Sequence, residues 1–319
     1  MPNFNGVWSL TTQLQYNTDW QADNVSPARV FAAGIGMWLG GGSNSVVIDT
    51  VNITSAGNAT DFGDLIAGTY SSGAVGSTTR GVISGATSES PGDRIQYVTF
   101  ASAGNSTDFG DSTVNDGRGG GASSSIRGLF FGKSGGASDV VDYITIASTG
   151  DATDFGDLVG ARRADGAGFA SPTRAIYGGG GGSGTTRYNT IDYFTINSVG
   201  NATDFGDLSA AKENPNGCAS TTRGLFAGGY GASDTYDIIE YITISSTGDV
   251  TNFGDLIEDE ISNMNGCTSN QTTAVMHSTG NTIQTVTIAS TGNATDFGDL
   301  TVSRSNRTSA TGNLHGGIA

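Results

Sequence analysis

Asn58–Leu65 reads NATDFGDL, and the chain returns to that phrase at Asn105–Ser112 (NSTDFGDS), Asp151–Leu158 (DATDFGDL), Asn201–Leu208 (NATDFGDL), Asp249–Leu256 (DVTNFGDL) and Asn293–Leu300 (NATDFGDL). The phenylalanines of the six copies, Phe62, Phe109, Phe155, Phe205, Phe253 and Phe297, are spaced by 47, 46, 50, 48 and 44 residues. A period of that length is too long for one helix pair of the shorter solenoids. It fits a propeller blade of four strands. Six such units account for nearly all of the 319 residues, which predicts one large domain.

The unit Lys212–Leu256 shows the parts most clearly. Asn216–Ser220 (NGCAS) is a run of small residues, followed after a Thr-Thr-Arg turn by Gly224–Gly229 (GLFAGG). A polar loop leads to Ile238–Ile244 (IIEYITI), and a turn at Ser246–Thr251 (STGDVT) leads to Asn252–Leu256 (NFGDL). The apolar runs have strand length and favour β-branched and aromatic residues, and Tyr241 and Thr243 alternate with Ile242 and Ile244. No pattern of helical period and helical length occurs in the unit. It therefore predicts four antiparallel strands, a to d from first to last, and the chain an all-β, six-bladed propeller over residues 28–319.

Each part of the recurring phrase has a physical use. The Gly-Asn or Gly-Asp turn before it supplies residues that tolerate positive φ. The Phe can bury against the next blade, contributing roughly 1.5–3 kcal/mol if fully desolvated. The Gly after it permits close backbone approach. Arg80, Arg127, Arg174 and Arg223 precede strand b once per unit, so they form a ring rather than a cluster. Pairing between blades, with the carboxylates of the DFGD phrase as partners, is their expected role. At the ends of the chain both Ala28–Ala33 (ARVFAA) and Asn306–Asn313 (NRTSATGN), within the tail 301–319, read as strand a. Either can close the ring; the N-terminal segment is the better match.

The order of arginine, strand, Gly-Gly, loop, apolar strand, Thr-Gly turn and aromatic resembles the kelch repeat of β-propellers. Gly40-Gly41, Gly178-Gly179 and Gly228-Gly229 carry that likeness, with Phe62 and its equivalents where kelch units have Trp. Units two, three and six depart from it, with Gly85-Ala86, Gly132-Lys133 and His277-Ser278 at the double-glycine position.

Thirty acidic against 14 basic residues give a formal charge of −16. A nucleic-acid surface needs clustered Lys and Arg, which this chain lacks, and the same sign disfavours anionic membranes. No stretch approaches the roughly 20 apolar residues of a membrane span. MPNFNGVWSL has no basic region followed by an apolar run, so no secretory signal is expected.

No metal or cofactor is expected. Calcium needs six to eight converging oxygens, and two Asp flanking Phe-Gly serve turns more readily. His277 and His315 have no zinc or triad spacing, and no nucleophile–base set stands out, so the reading is non-enzymatic. Cys218 and Cys267, 49 residues apart, read as the same strand-a position of adjacent units and are expected as free buried thiols. The Asn-X-Thr triplets read as turn chemistry rather than glycosylation acceptors.

Residues 1–27 stand outside the repeat and hold Trp8, Leu10, Tyr16 and Trp20. Aromatic anchors of this kind suit docking to a larger assembly, or else a cap on the propeller. The turns after strands a and c are nearly constant between units, whereas the b–c loops differ in length and chemistry. In an up-and-down blade the b–c and d–a loops share a face, so that face is the expected binding surface. Arg187, Tyr188, Tyr230, Asp234 and Tyr236 are its candidate contact residues, since Tyr among short polar partners suits carbohydrate or protein contact.

A glycine-rich, repetitive propeller with the leader Gly6–Leu10 (GVWSL) is similar in style to appendage or fibre-associated proteins of tailed, especially marine, bacteriophages. That resemblance implies a virion component attached by its N-terminal segment and displaying the propeller toward a host-surface glycan or protein. The alternatives are a non-viral kelch-type interaction module and a glycan-active propeller enzyme.

Overall fold

The C-terminal strand, not an N-terminal one, closes the ring. The computed structural model describes residues 34–318 apart from positions 43, 70–71, 87, 116, 118, 134–135, 164, 233–234, 258–265, 279 and 305–307. In it Ile35–Leu39 (β1) pairs on one side with Val47–Asn52 (β2), which pairs with Thr60–Asp64 (β3). On its other side β1 pairs with Ser309–Gly312 (β24), in the register Gly36–Gly312 to Leu39–Ser309. This is blade 1. The expected closing segment Ala28–Ala33 lies outside the described residues, and the place predicted for it is held by β24.

Size explains the choice. Innermost strands of adjacent blades touch backbone to backbone: a Cβ on Gly168 would stand 2.5 Å from the carbonyl oxygen of Gly121. The other innermost runs are GAVG, GGAS, AGFA, NGCA and CTS, and SATG belongs with them. SATG keeps a small residue, Ala310, at the register position that Gly168 holds in blade 4.

The remaining blades run strictly a to d. Blade 2 is Gly73–Gly76 (β4), Arg80–Ser84 (β5), Arg94–Thr99 (β6) and Thr107–Asp111 (β7). Blade 3 is Gly120–Ser123 (β8), Arg127–Phe131 (β9), Ser138–Thr145 (β10) and Thr153–Arg162 (β11). Blade 4 is Ala167–Ala170 (β12), Arg174–Gly178 (β13), Thr190–Thr195 (β14) and Thr203–Asp207 (β15). Blade 5 is Asn216–Ala219 (β16), Arg223–Ala227 (β17), Ile238–Thr243 (β18) and Thr251–Asp255 (β19). Blade 6 is Cys267–Ser269 (β20), Thr273–His277 (β21), Gly280–Thr287 (β22) and Thr295–Arg304 (β23). All regular elements among the described residues are strands, as the six-bladed all-β reading requires. The propeller forms one compact unit, Ala33–Ala319.

The recurring phrase encodes a β-bulge and a joint. In blade 1, Asp49 pairs with Asp61 and Ile48 with Gly63, so Phe62 is the extra residue; all six blades repeat this irregularity. Such a bulge re-aims the side chain it carries. The six phenylalanines are 2–5% exposed, and Phe205, for example, packs with Ala219, Phe226 and Ile242 of blade 5. Beside it, the c–d turn of each blade bonds to strand d of the blade before. The amides of Gly104 and Ser106 donate to the Phe62 and Asp64 carbonyls, both at 2.8 Å, and the Asp64 amide donates to Asn105 Oδ1 at 3.0 Å. Gly156 shows why glycine is needed there. Its φ is 144°, and a Cβ would stand 2.5 Å from the Gly200 carbonyl oxygen.

The arginine ring is a ring of joints, but its partners differ from those expected. Arg80, Arg127, Arg174 and Arg223 donate through Nη1 to the backbone carbonyls of Ile146, Ile196, Ile244 and Ile288 on the next blade, at 2.9–3.0 Å. Each lies 4.3–4.8 Å over a strand-c tyrosine of its own blade: Tyr97, Tyr143, Tyr193 or Tyr241. That tyrosine meets the bulged Phe edge-on. A carbonyl beneath the next blade is a better partner than an exposed DFGD carboxylate, because the stacked guanidinium is already half-buried there.

The free-thiol expectation is overturned. Cys218 and Cys267 form a disulfide with Cα atoms 5.5 Å apart. Strand pairing shows the reason: Cys218 faces Leu225, and the residue at that register in blade 6 is Thr268, opposite Val275. Cys267 sits one place earlier. Since successive side chains point to opposite faces, the offset aims the two thiols at one another across the boundary of blades 5 and 6.

Candidate functional site

The face formed by the b–c and d–a loops rests on a buried polar ring. One strand-c residue per blade, Asp49, Gln96, Asp142, Asp192, Glu240 and Gln284, is at most 1% exposed. Each is met by the segment that leaves strand d of the preceding blade. The amides of Thr113, Val159, Ser209, Ile257 and Thr301 donate to Asp142, Asp192, Glu240, Gln284 and Asp49 at 2.7–3.3 Å, and that of Ala67 to Gln96 at 3.1 Å. Three of these positions also hold a buried cation: Arg162–Asp192 at 2.9 Å, Lys212–Glu240 at 2.7 Å and Arg304–Asp49 at 2.8 Å. Burial pushes the Asp192 carboxyl above its ordinary range, an effect Arg162 opposes, and burial lowers Arg304 against the pull of Asp49. The six amide bonds fix where each d–a connection begins, and the ion pairs reinforce three of them.

In blades 4 and 5 this foundation carries aromatic residues. Tyr188 and Tyr236 occupy the same place, two residues before strand c, and each covers one of the buried cations. The ring of Tyr188 lies 5.5 Å from Arg162 Cζ, and that of Tyr236 lies 5.3 Å from Lys212 Nζ. Arg187 makes a third such set, 4.6 Å over Tyr230 and 2.9 Å from Glu213 Oε1. Backbone bonds stitch the loops together. The amides of Glu213 and Tyr230 donate to each other's carbonyls, Tyr188 donates to Gly180, and Gly180 to Lys212, all at 2.7–3.0 Å. Four of the five predicted contact residues, Arg187, Tyr188, Tyr230 and Tyr236, thus meet in one half-buried sector; Asp234 lies outside the described residues. So do Trp8, Leu10, Tyr16 and Trp20.

Beside this sector the central channel opens. Ser72, Asp165, Asn214, Asn216, Thr308 and Ser309 supply its polar lining at the mouth, among glycines of the innermost strands. Its other end is covered by the segment after β24. His315 Nε2 lies 2.9 Å from the Gly76 carbonyl oxygen and 3.2 Å from Ser123 Oγ, while its Nδ1 accepts the Gly317 amide at 3.2 Å. Gln271 Nε2 donates to the carbonyls of His315 and Ile318 at 2.6 and 3.0 Å. The channel is a blind cup facing the aromatic sector. Among the described residues no three His, Cys, Asp or Glu side chains converge as a metal site.

Sequence reasoning missed the cation–acid pairs, although they are written in the chain. An acid or amide recurs in strand c (VIDTV, RIQYV, TIDYF, IIEYI), and a cation stands four residues after the phrase's Leu in GARR, AAKE and VSRS. The strand-c tyrosines were equally visible: blades with Arg before strand b have Tyr there, and blades 1 and 6, with Ile35 and Thr273, have Thr50 and Thr285. No protein-family model matches the chain, and no curated protein matches it in sequence.

Proposed function

We propose that this protein is a non-enzymatic binding propeller of a bacteriophage virion, a tail, fibre or capsid-associated appendage of kelch-like style. It attaches through its N-terminal segment and displays the face of blades 4 and 5 toward a host-surface glycan or protein. The observation that carries the reading is the contrast between the two faces. Six joints repeat the same bulge and turn-to-strand bonding, whereas the opposite face concentrates Arg187, Tyr188, Tyr230 and Tyr236 in a single sector on its buried polar foundation. Function placed on varied loops over an invariant scaffold is the usual arrangement of a recognition surface. Tyrosines held by cations beneath them lose little freedom on binding, which favours contact with sugar rings or peptide.

Two further features support the setting. The Cys218–Cys267 disulfide suits a particle that works outside a reducing cytosol. A charge of −16 disfavours DNA or RNA as the partner. Mass spectrometry of purified particles tests the virion assignment, and particles lacking the protein would refute it. The docking role of the N-terminal segment is tested by Trp8→Ala with Trp20→Ala, which should abolish incorporation while circular dichroism stays that of the folded β protein.

A further inference from the structure

The joint between blades 6 and 1 lacks the part that fills four of the others. In blades 2 to 5 the slot at the c–d end of the joint holds an arginine stacked on a tyrosine, its guanidinium bonded to a carbonyl of the next blade. By strand register, Thr273 stands in blade 6 where Arg223 stands in blade 5, and Thr285 where Tyr241 stands. Ile53 of blade 1 is the counterpart of Ile288, and Phe297 forms the wall that Phe253 forms one blade earlier; both are buried. Two threonines in place of Arg and Tyr leave a groove of about 400 Å³ lined by Ile53, Thr54, Thr273, Thr285, Asn293 and Phe297. That is within the range of ligand sites. The joint of blades 1 and 2 also lacks the pair, with Ile35 at the arginine position and Thr50 at the tyrosine position, but there Ile35 and Phe100, the counterpart of Ile288, are both buried.

We propose that this groove docks an arginine side chain presented by a partner protein, with the guanidinium donating to the Ile53 carbonyl and its stem lying on Phe297. The four filled joints of the same molecule are the template: same strand register, same wall, same carbonyl. The chain's excess of 30 acidic over 14 basic residues favours a cationic visitor. Thr285 Oγ1 donates to the Ala274 carbonyl at 2.9 Å, and the acceptor that meets the arginine in the four filled joints is main chain. The groove lies on the face opposite the aromatic sector, and its occupation is independent of the receptor reading.

The test uses full-length protein with N-acetyl-L-arginine amide as probe and the uncharged citrulline analogue as control, read by methyl NMR. Saturable shifts at Ile53, Thr273 and Thr285 with the arginine probe alone are expected. Thr273→Arg with Thr285→Tyr installs the molecule's own pair and should abolish the shift at Ile53, the reporter that the variant keeps. Thr285→Tyr alone supplies the platform without the cation and should tighten binding several-fold. Absence of saturable shifts in the wild type, equal response to citrulline, or unchanged affinity in Thr285→Tyr would overturn the proposal.

Discussion

Asn58 Oδ1 accepts the Asp299 amide at 3.1 Å, although 241 residues separate the two in the chain. It is the same bond that Asn105 makes with Asp64 between consecutive units, so the ring's covalent ends meet by the rule that joins every other pair of blades. The recurring phrase is therefore a statement about neighbours: each copy is completed by the turn of the next.

Gly156→Ala should lower stability by at least about 2 kcal/mol, because its φ of 144° and the Gly200 carbonyl 2.5 Å from the new Cβ both resist a side chain. Gly160 has open space around it, so Gly160→Ala should stay within about 0.5 kcal/mol. Urea unfolding measures both, and equal effects would contradict the joint.

Replacing Phe205 by Ala should cost about 3–5 kcal/mol by leaving a cavity between blades 4 and 5. Tyr236→Ala should cost about 1 kcal/mol, since the ring is half-buried over Lys212 rather than free on the surface. Thermal unfolding in the reverse order would show that core and display face have been exchanged.

Arg162→Met should cost about 3–5 kcal/mol by stranding the buried Asp192 carboxylate. Adding Asp192→Asn, which removes the charge but keeps an acceptor for the Val159 amide, should restore part of that loss. A double variant as unstable as the single one would show that the pair does more than balance charge.

His315 gives a pH dependence of defined sign. Burial holds its imidazole below the ordinary value of 6.5. Its Nδ1 accepts the Gly317 amide, so protonation there breaks that bond. Stability from this group is therefore fully present above about pH 6.5 and is lost as pH falls through the lowered folded value. The wild type should lose more stability than His315→Gln between pH 7 and pH 5; parallel curves would contradict the assignment.

Much of the fold was legible because the phrase recurs with the length of a blade and each run has strand period. Closure was not. Ala28–Ala33 and the tail both have strand character, and only the backbone contact at Gly121 and Gly168 shows that small residues are required. The disulfide was hidden for a related reason: spacing places Cys218 and Cys267 in adjacent strands, but a one-residue offset in pairing decides whether they face each other. For the candidate site, loop variability pointed to Arg187, Tyr188, Tyr230 and Tyr236. Their convergence depends on Arg162, Lys212 and Glu213, at or just past the end of a preceding strand d; the cation position recurs in the chain, but only the pairing with strand c shows what it does.

The most direct test of the binding reading is competition for adsorption of the parent phage to its host cells. Wild-type full-length protein should slow adsorption in a dose-dependent way. The triple variant Arg187→Ala, Tyr230→Ala and Tyr236→Ala, with circular dichroism unchanged, should lose that effect. Equal competition by both proteins, or none by either, would contradict a receptor surface on blades 4 and 5.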